Sequence, residues 1–144
     1  MLTAAPSVTA EILLLEQNDD EVAVFEEATG TNHLNVVADC PTILRFLRRQ
    51  GDQSQAPRPD LILLDLDLSD KIGCEMLSEI KQDPTLRRIP VVVLAASDSY
   101  DNIFQAYDLQ ANAYVRKPDE KEQLITVLRV TLHFWLSLAR LPRE

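Results

Sequence analysis

Apolar positions along this 144-residue chain follow two rhythms that alternate from one end to the other. Glu11 to Leu15, Leu61 to Leu64 and Val91 to Ala95 are apolar at nearly every position. Such short continuous runs suit strands buried on both faces of a parallel sheet, where no face is left for polar residues. Asn35 to Ala38 and Ala113 to Val115 predict two further short strands. Between the runs the spacing is helical. Asn18 or Asp19 caps a helix with Val22, Phe25 and Ala28 on one face, stopped by Gly30. Pro41 opens a second, carrying Ile43, Leu44 and Leu47 and ended by Gly51. The third turns Met76, Leu77 and Ile80 inward, and the fourth, from Tyr100 to Leu109, is expected to bury Ile103, Phe104, Ala106 and Tyr107. A long helix closes the chain. Strands and helices in strict alternation predict an α/β domain with a doubly wound parallel sheet.

Composition narrows the function more than the fold. The chain is long enough for one full core, and its 46% hydrophobic and 26% charged residues are those of a globular domain. We expect a flexible tail over residues 1–9, one domain over 10–141 and no output domain. A net charge of −9 repels nucleic acid and anionic lipid. Arg45, Arg48 and Arg49 lie on one predicted helix and read as a solvated face. Cys40 and Cys74 show no metal or redox spacing and read as reduced thiols, in keeping with a cytoplasmic protein. The most apolar stretch, Leu124 to Ala139, is interrupted by Arg129 and His133 and is too short to span a membrane.

Ligands bind such sheets beyond the carboxyl ends of the strands, and the chemistry-bearing residues stand there. Glu16 and Gln17 follow the first strand, Asp65 and Asp67 the third, Ala95 ends the fourth, and Lys117-Pro118 follows the fifth. In this order and spacing they resemble the receiver domain of two-component response regulators. The resemblance runs from about Glu11 to Leu141. It implies a flavodoxin-like sheet of order 2-1-3-4-5 with five helices, and a histidine kinase as phosphoryl donor to Asp65. A carboxylate attacking a phosphoryl group meets mounting negative charge, so the site needs a divalent cation and a fixed ammonium. By position, Mg2+ would be held by Glu16, Gln17, Asp65 and the backbone carbonyl of Asp67, while Lys117 supplies the ammonium. The Lys117–Pro118 bond resembles the family's cis peptide.

Two positions depart from the family pattern. Gln17 stands where a second acidic residue normally binds the metal, and it brings no charge. Unit charges about 4 Å apart interact by about 4 kcal/mol at an effective dielectric near 20, so Mg2+ binding is expected to be weak or lost unless Asp19 or Asp20 compensates. Ala95 stands where receivers place a serine or threonine that bonds the phosphoryl group and lets an aromatic residue, here Tyr114, turn inward. Ser97 is expected to lie too far along the chain to substitute. Both changes point to impaired phosphorylation and switching. Asp67 is expected to be a turn residue, not a side-chain ligand.

The last helix carries two apolar stripes, and one sheet can cover only one. Leu124, Leu128, Leu132, Trp135 and Ala139 form the first; Val127, Val130, Phe134, Leu138 and Leu141 form the second. The second should meet a partner. The ending HFWLSL, with RPDLILLDL, EIKQDPTLRRIPVVVL and NAYVRKP, resembles the single-domain response regulators that work with phytochrome-type histidine kinases. That resemblance implies a homodimer formed through Val127, Val130, Phe134, Trp135 and Leu138.

Two other functions fit parts of the pattern. One is a phosphorylation-independent docking module on the same fold. The other is a haloacid-dehalogenase-type phosphohydrolase, because Asp65-Leu66-Asp67-Leu68-Ser69 mimics its DxDx(T/S) signature, with Asp67 as general acid. That signature usually follows a first strand, and AASDSYD after the fourth is a poor acidic pair. The expectation is therefore a receiver with no turnover activity of its own.

Overall fold

The computed structural model of the chain describes residues 9–142. The expected N-terminal tail, apart from Thr9, lies outside them. The strands are β1 (Glu11–Leu15), β2 (His33–Val37), β3 (Leu61–Asp65), β4 (Val91–Ala95) and β5 (Ala113–Arg116). They alternate with α1 (Asp19–Thr29), α2 (Cys40–Arg48), α3 (Lys71–Gln82), α4 (Tyr100–Asp108) and α5 (Lys121–His133). All pairings are parallel, in the order β2-β1-β3-β4-β5. The expected doubly wound sheet is the one observed.

Alternate residues of each strand feed opposite cores, as the twofold side-chain period of a strand requires. Ile12, Leu14, Leu61, Leu63, Val92 and Leu94 pack with Val24 and Phe25 of α1 and with Leu124, Ile125, Leu128 and Leu132 of α5. Leu13, Leu15, Ile62, Leu64, Val91 and Val93 pack with α2 and α3, through Ile43, Phe46, Met76, Leu77 and Ile80, and with Ala106 of α4. Among the described residues, four of the five helix starts carry a side-chain cap, and Glu120 before α5 makes none. Asn18 accepts from the Asp20 and Glu21 N–H groups, Asp39 from Thr42, and Asp70 from Ile72.

Several expectations need correcting. β2 starts at His33, because His33 and Asn35 both bond the Glu11 carboxylate across the sheet. On α1 the buried face runs through Val24 and Phe25, and Val22 is only half-buried. α2 is ended by Arg49 in the left-handed conformation (φ 53°), whereas Gly51 opens a short 3-10 turn. Arg45, Arg48 and Arg49 are all exposed, as a solvated face requires, with Arg48 within 3.9 Å of Glu79 and of Asp83 and Arg49 donating to the Ala56 carbonyl.

The largest difference is at α4. Only Ala106 is buried; Phe104 is 62% exposed, Tyr107 is exposed, and Tyr100 and Phe104 stack on each other with ring centroids 6.0 Å apart. This helix lies beside the edge strand β5, where there is little sheet to cover. α5 stops at His133, followed by a wider π turn over Phe134–Leu138 in which the Ala139 N–H bonds the Phe134 carbonyl at 2.8 Å. That turn lays Trp135 and Leu136 against the α1/α5 core and leaves Phe134 and Leu138 outside.

Candidate functional site

The twofold period that builds the core also places the site. Glu16 continues the set of Ile12 and Leu14, Asp65 that of Leu61 and Leu63, and Lys117 that of Ala113 and Val115. All three therefore emerge at the carboxyl end of the sheet on the side covered by α1. Ala95 and Tyr114 belong to the alternate set and face the α2/α3 side.

Lys117 draws the first group together. Its Nζ donates to Asp65 Oδ2 at 2.7 Å and to both carboxylate oxygens of Glu21 at 3.2 and 3.3 Å. The side chains of Lys117 and Asp65 are 13% and 10% exposed, so this is a nearly desolvated contact. Burial alone would lower the lysine pKa, but the hydrogen bonds and charges of Asp65 and Glu21 outweigh it and hold the ammonium above its usual value. The Lys117–Pro118 bond is trans: no peptide bond among the described residues is cis. The lysine is aimed instead by its backbone N–H, which donates to the Ala95 carbonyl at 2.7 Å and extends the β4–β5 ladder.

Glu16, Glu21 and Asp65 each offer an oxygen within 4.8 Å of the others. Glu16 is only 7% exposed. Its Oε1 accepts from the Gln17 and Asn18 N–H groups at 3.0 Å, whereas its Oε2 is buried with no hydrogen-bond partner. Burial, then the closeness of the Asp65 carboxylate, pushes the Glu16 carboxyl up to about 8, against the pull of the Asn18 N–H. A buried carboxylate oxygen facing other carboxylates needs a proton or a cation between them. A hard, oxygen-seeking divalent ion such as Mg2+ fits this donor set.

The remaining residues line a cleft of about 480 Å³ that includes Gln17, Asp65, Asp67, Asp70, Ala95, Ser97 and Lys117. Gln17 is exposed at its rim. The Asp67 carboxylate accepts from Ser69 N–H at 2.9 Å and its carbonyl from Asp70 N–H at 3.1 Å, which makes it a turn residue. Ala95 is buried and has no hydroxyl to offer. Tyr114 packs against the α2/α3 core and donates its hydroxyl proton to the Ser97 carbonyl at 2.6 Å. Burial first, then the charges of Asp67 and Asp98, raise its phenol pKa and keep it a donor.

Glu21 is the residue that sequence reasoning missed. It stands three and four residues before Val24 and Phe25, so it shares their inward face at the start of α1. Asp19 and Asp20, offered as compensating acids, are exposed in the first turn. On α5 and its π turn, Val130, Phe134 and Leu138 are exposed, whereas Val127 and Trp135 are half-buried. Phe134 and Trp135 meet edge to face at 5.2 Å.

Comparison with known proteins agrees with this arrangement. Residues 12–129 match the response regulator receiver domain. The chain is 38% identical over 135 residues to response regulator Rcp1 of Synechocystis sp., covering 91% of this chain and 92% of that one. The solved structure of the phosphorylated cyanobacterial phytochrome response regulator RcpA superposes with a TM-score of 0.87 at 43% identity, over 94% of this chain and 100% of that one. The Mn2+-bound form of Rcp1 superposes with a TM-score of 0.85 at 38% identity, over 93% of this chain and 99% of that one.

Proposed function

The chain belongs to the response regulator receiver family and is related to the phytochrome-associated regulators; on that premise we propose that Asp65 accepts a phosphoryl group from a histidine kinase of the phytochrome type, and that the phosphorylated pocket is poorly coupled to the rest of the fold. The observation that carries the first half is the Asp65–Lys117 contact of 2.7 Å at the carboxyl end of a buried strand. Lys117 stands where it can neutralise charge as it builds on the transferred group. Glu16 and Asp65, with the Asp67 carbonyl, would hold a divalent cation, which supplies further neutralisation of the phosphoryl oxygens. A receiver of this kind takes up and loses one phosphoryl group and has no turnover substrate, so the chain acts as a signalling partner and not as an enzyme. No helix among the described residues is long and apolar enough to cross a membrane. The reading is of a cytoplasmic kinase partner, and the net charge of −9 disfavours nucleic acid and anionic membranes as its targets.

The second half rests on Ala95 and Tyr114. With no hydroxyl at position 95, the phosphoryl group has no donor there to pull towards it. The Tyr114 hydroxyl is already tied to the Ser97 carbonyl while Asp65 is unmodified. This contact also favours a second reading, a docking module whose surface is set without phosphate. In either case the exposed Val130, Phe134 and Leu138 suit the interface of a homodimer.

Intact-mass measurement after incubation with a small phosphodonor and Mg2+ tests the acceptor. An increase of about 80 Da, one phosphoryl group, is expected on the wild type and not on Asp65→Asn. A wild type that gains no mass, beside a Gln17→Asp/Ala95→Thr protein that does, would establish the docking module instead.

A further inference from the structure

Gln17 removes a negative charge from the place where receivers hold a metal, yet the pocket has not lost one. Three carboxylates still converge, because Glu21 approaches from α1 to within 4.8 Å of oxygens from Glu16 and Asp65. With the Lys117 ammonium the local formal charge is three negative and one positive. An acidic pair, an acceptor aspartate and a lysine would give the same sum. We propose that Glu21 is the second acidic ligand of the divalent-cation site, taking over from position 17, so that the ion is held by Glu16, Glu21 and Asp65.

Two independent observations carry this. The first is the unpartnered Oε2 of Glu16, a carboxylate oxygen on a side chain more than nine-tenths buried, set among the other two acids. Neighbouring backbone N–H groups satisfy only its Oε1. The second is the position of Glu21 itself. Its place before Val24 and Phe25 turns it inward, and α1 is anchored against α5 and the sheet, so the carboxylate is delivered by a rigid element and not by a loop. Asp19 and Asp20 lie on the exposed side of the same turn. Glu21 is at present paired with Lys117 through both of its oxygens. The lysine thus occupies part of the cation's place, and ion binding requires Glu21 to exchange one positive partner for another while Lys117 keeps Asp65.

The inference rests on the reading of this pocket as a receiver site, and the two can fail separately. Mn2+ binding to the full-length protein, followed by electron paramagnetic resonance of the free ion, is the direct test. Wild type should bind one Mn2+, Asp65→Asn should lose it, and Glu21→Gln should bind at least about tenfold more weakly, as expected when a ligand carboxylate becomes neutral. Gln17→Asp should restore binding to Glu21→Gln. In the Gln17→Asp background the Glu21→Gln change should cost little, a non-additivity that a purely structural Lys117 partner would not produce. Circular dichroism of each variant guards against unfolding. Wild-type affinity retained in Glu21→Gln, with binding still lost in Asp65→Asn, overturns the Glu21 assignment and leaves the receiver reading standing. No Mn2+ bound by the wild type overturns the assignment too, and the mass adduct on Asp65 then decides the receiver reading alone.

Discussion

Lys117 is the only cation placed by hydrogen bonds among Glu16, Glu21 and Asp65 in the described residues, and it holds two of them directly. Removing one partner of such a buried pair leaves the others as uncompensated charge, which typically costs about 3–5 kcal/mol. Lys117→Met should therefore lower metal-free stability by about 3 kcal/mol, read as a fall in the urea midpoint, and Mg2+ should recover part of the loss by taking over the neutralisation. An unchanged midpoint would mean that the acids are held apart by packing alone. Ala95 acts in the opposite way, through what it lacks. Its neighbour across the ladder is the strand carrying Tyr114, whose hydroxyl bonds the Ser97 carbonyl and not a group at position 95.

At the scale of elements, α5 shows which packing the fold depends on. Leu128 is fully buried between α1 and the sheet, so Leu128→Ala should cost about 3 kcal/mol in a denaturant titration. Leu138, 63% exposed on the π turn, should change monomer stability by no more than about 0.5 kcal/mol when replaced by Ala. If the proposed dimer forms there, light scattering should nevertheless show Leu138→Ala shifted towards monomer. Trp135→Ala should do both, because its ring packs against the core as well as against Phe134. A wild type that is monomeric at micromolar concentration would remove the dimer from the account.

Much of this was legible in the chain. Continuously apolar runs located three buried strands, and strand ends located Asp65, Glu16 and Lys117, because both patterns follow from the sheet's own geometry. Glu21 was not legible, since its role depends on which face of α1 meets the sheet, and reading Val22 in place of Val24 turned that face by two residues. The exposed Phe104 and Tyr107 escaped for a related reason. Helical spacing marks an apolar face, but not how much sheet lies beneath it. The end of α5 escaped as well, because a π turn changes the period without changing the residues.

Over the whole molecule, the sheet separates two sets of residues that a working switch must join. Glu16, Asp65 and Lys117 lie on the α1/α5 side, and Ala95 and Tyr114 lie on the α2/α3 side. A hydroxyl at the end of β4 would reach from one set to the other, and Ala95 interrupts that route. On the proposed reading, phosphorylation would be a local event, and the α4 and α5 surfaces would keep the form they already have. The amide NMR spectrum of the wild type and of Ala95→Thr, each recorded with and without phosphodonor and Mg2+, tests this most directly. The account predicts that wild-type shifts stay with residues around Glu16, Asp65 and Lys117, while in Ala95→Thr they extend through Tyr114 into α4. Wild-type shifts that already spread to Tyr114 and α4 would contradict it.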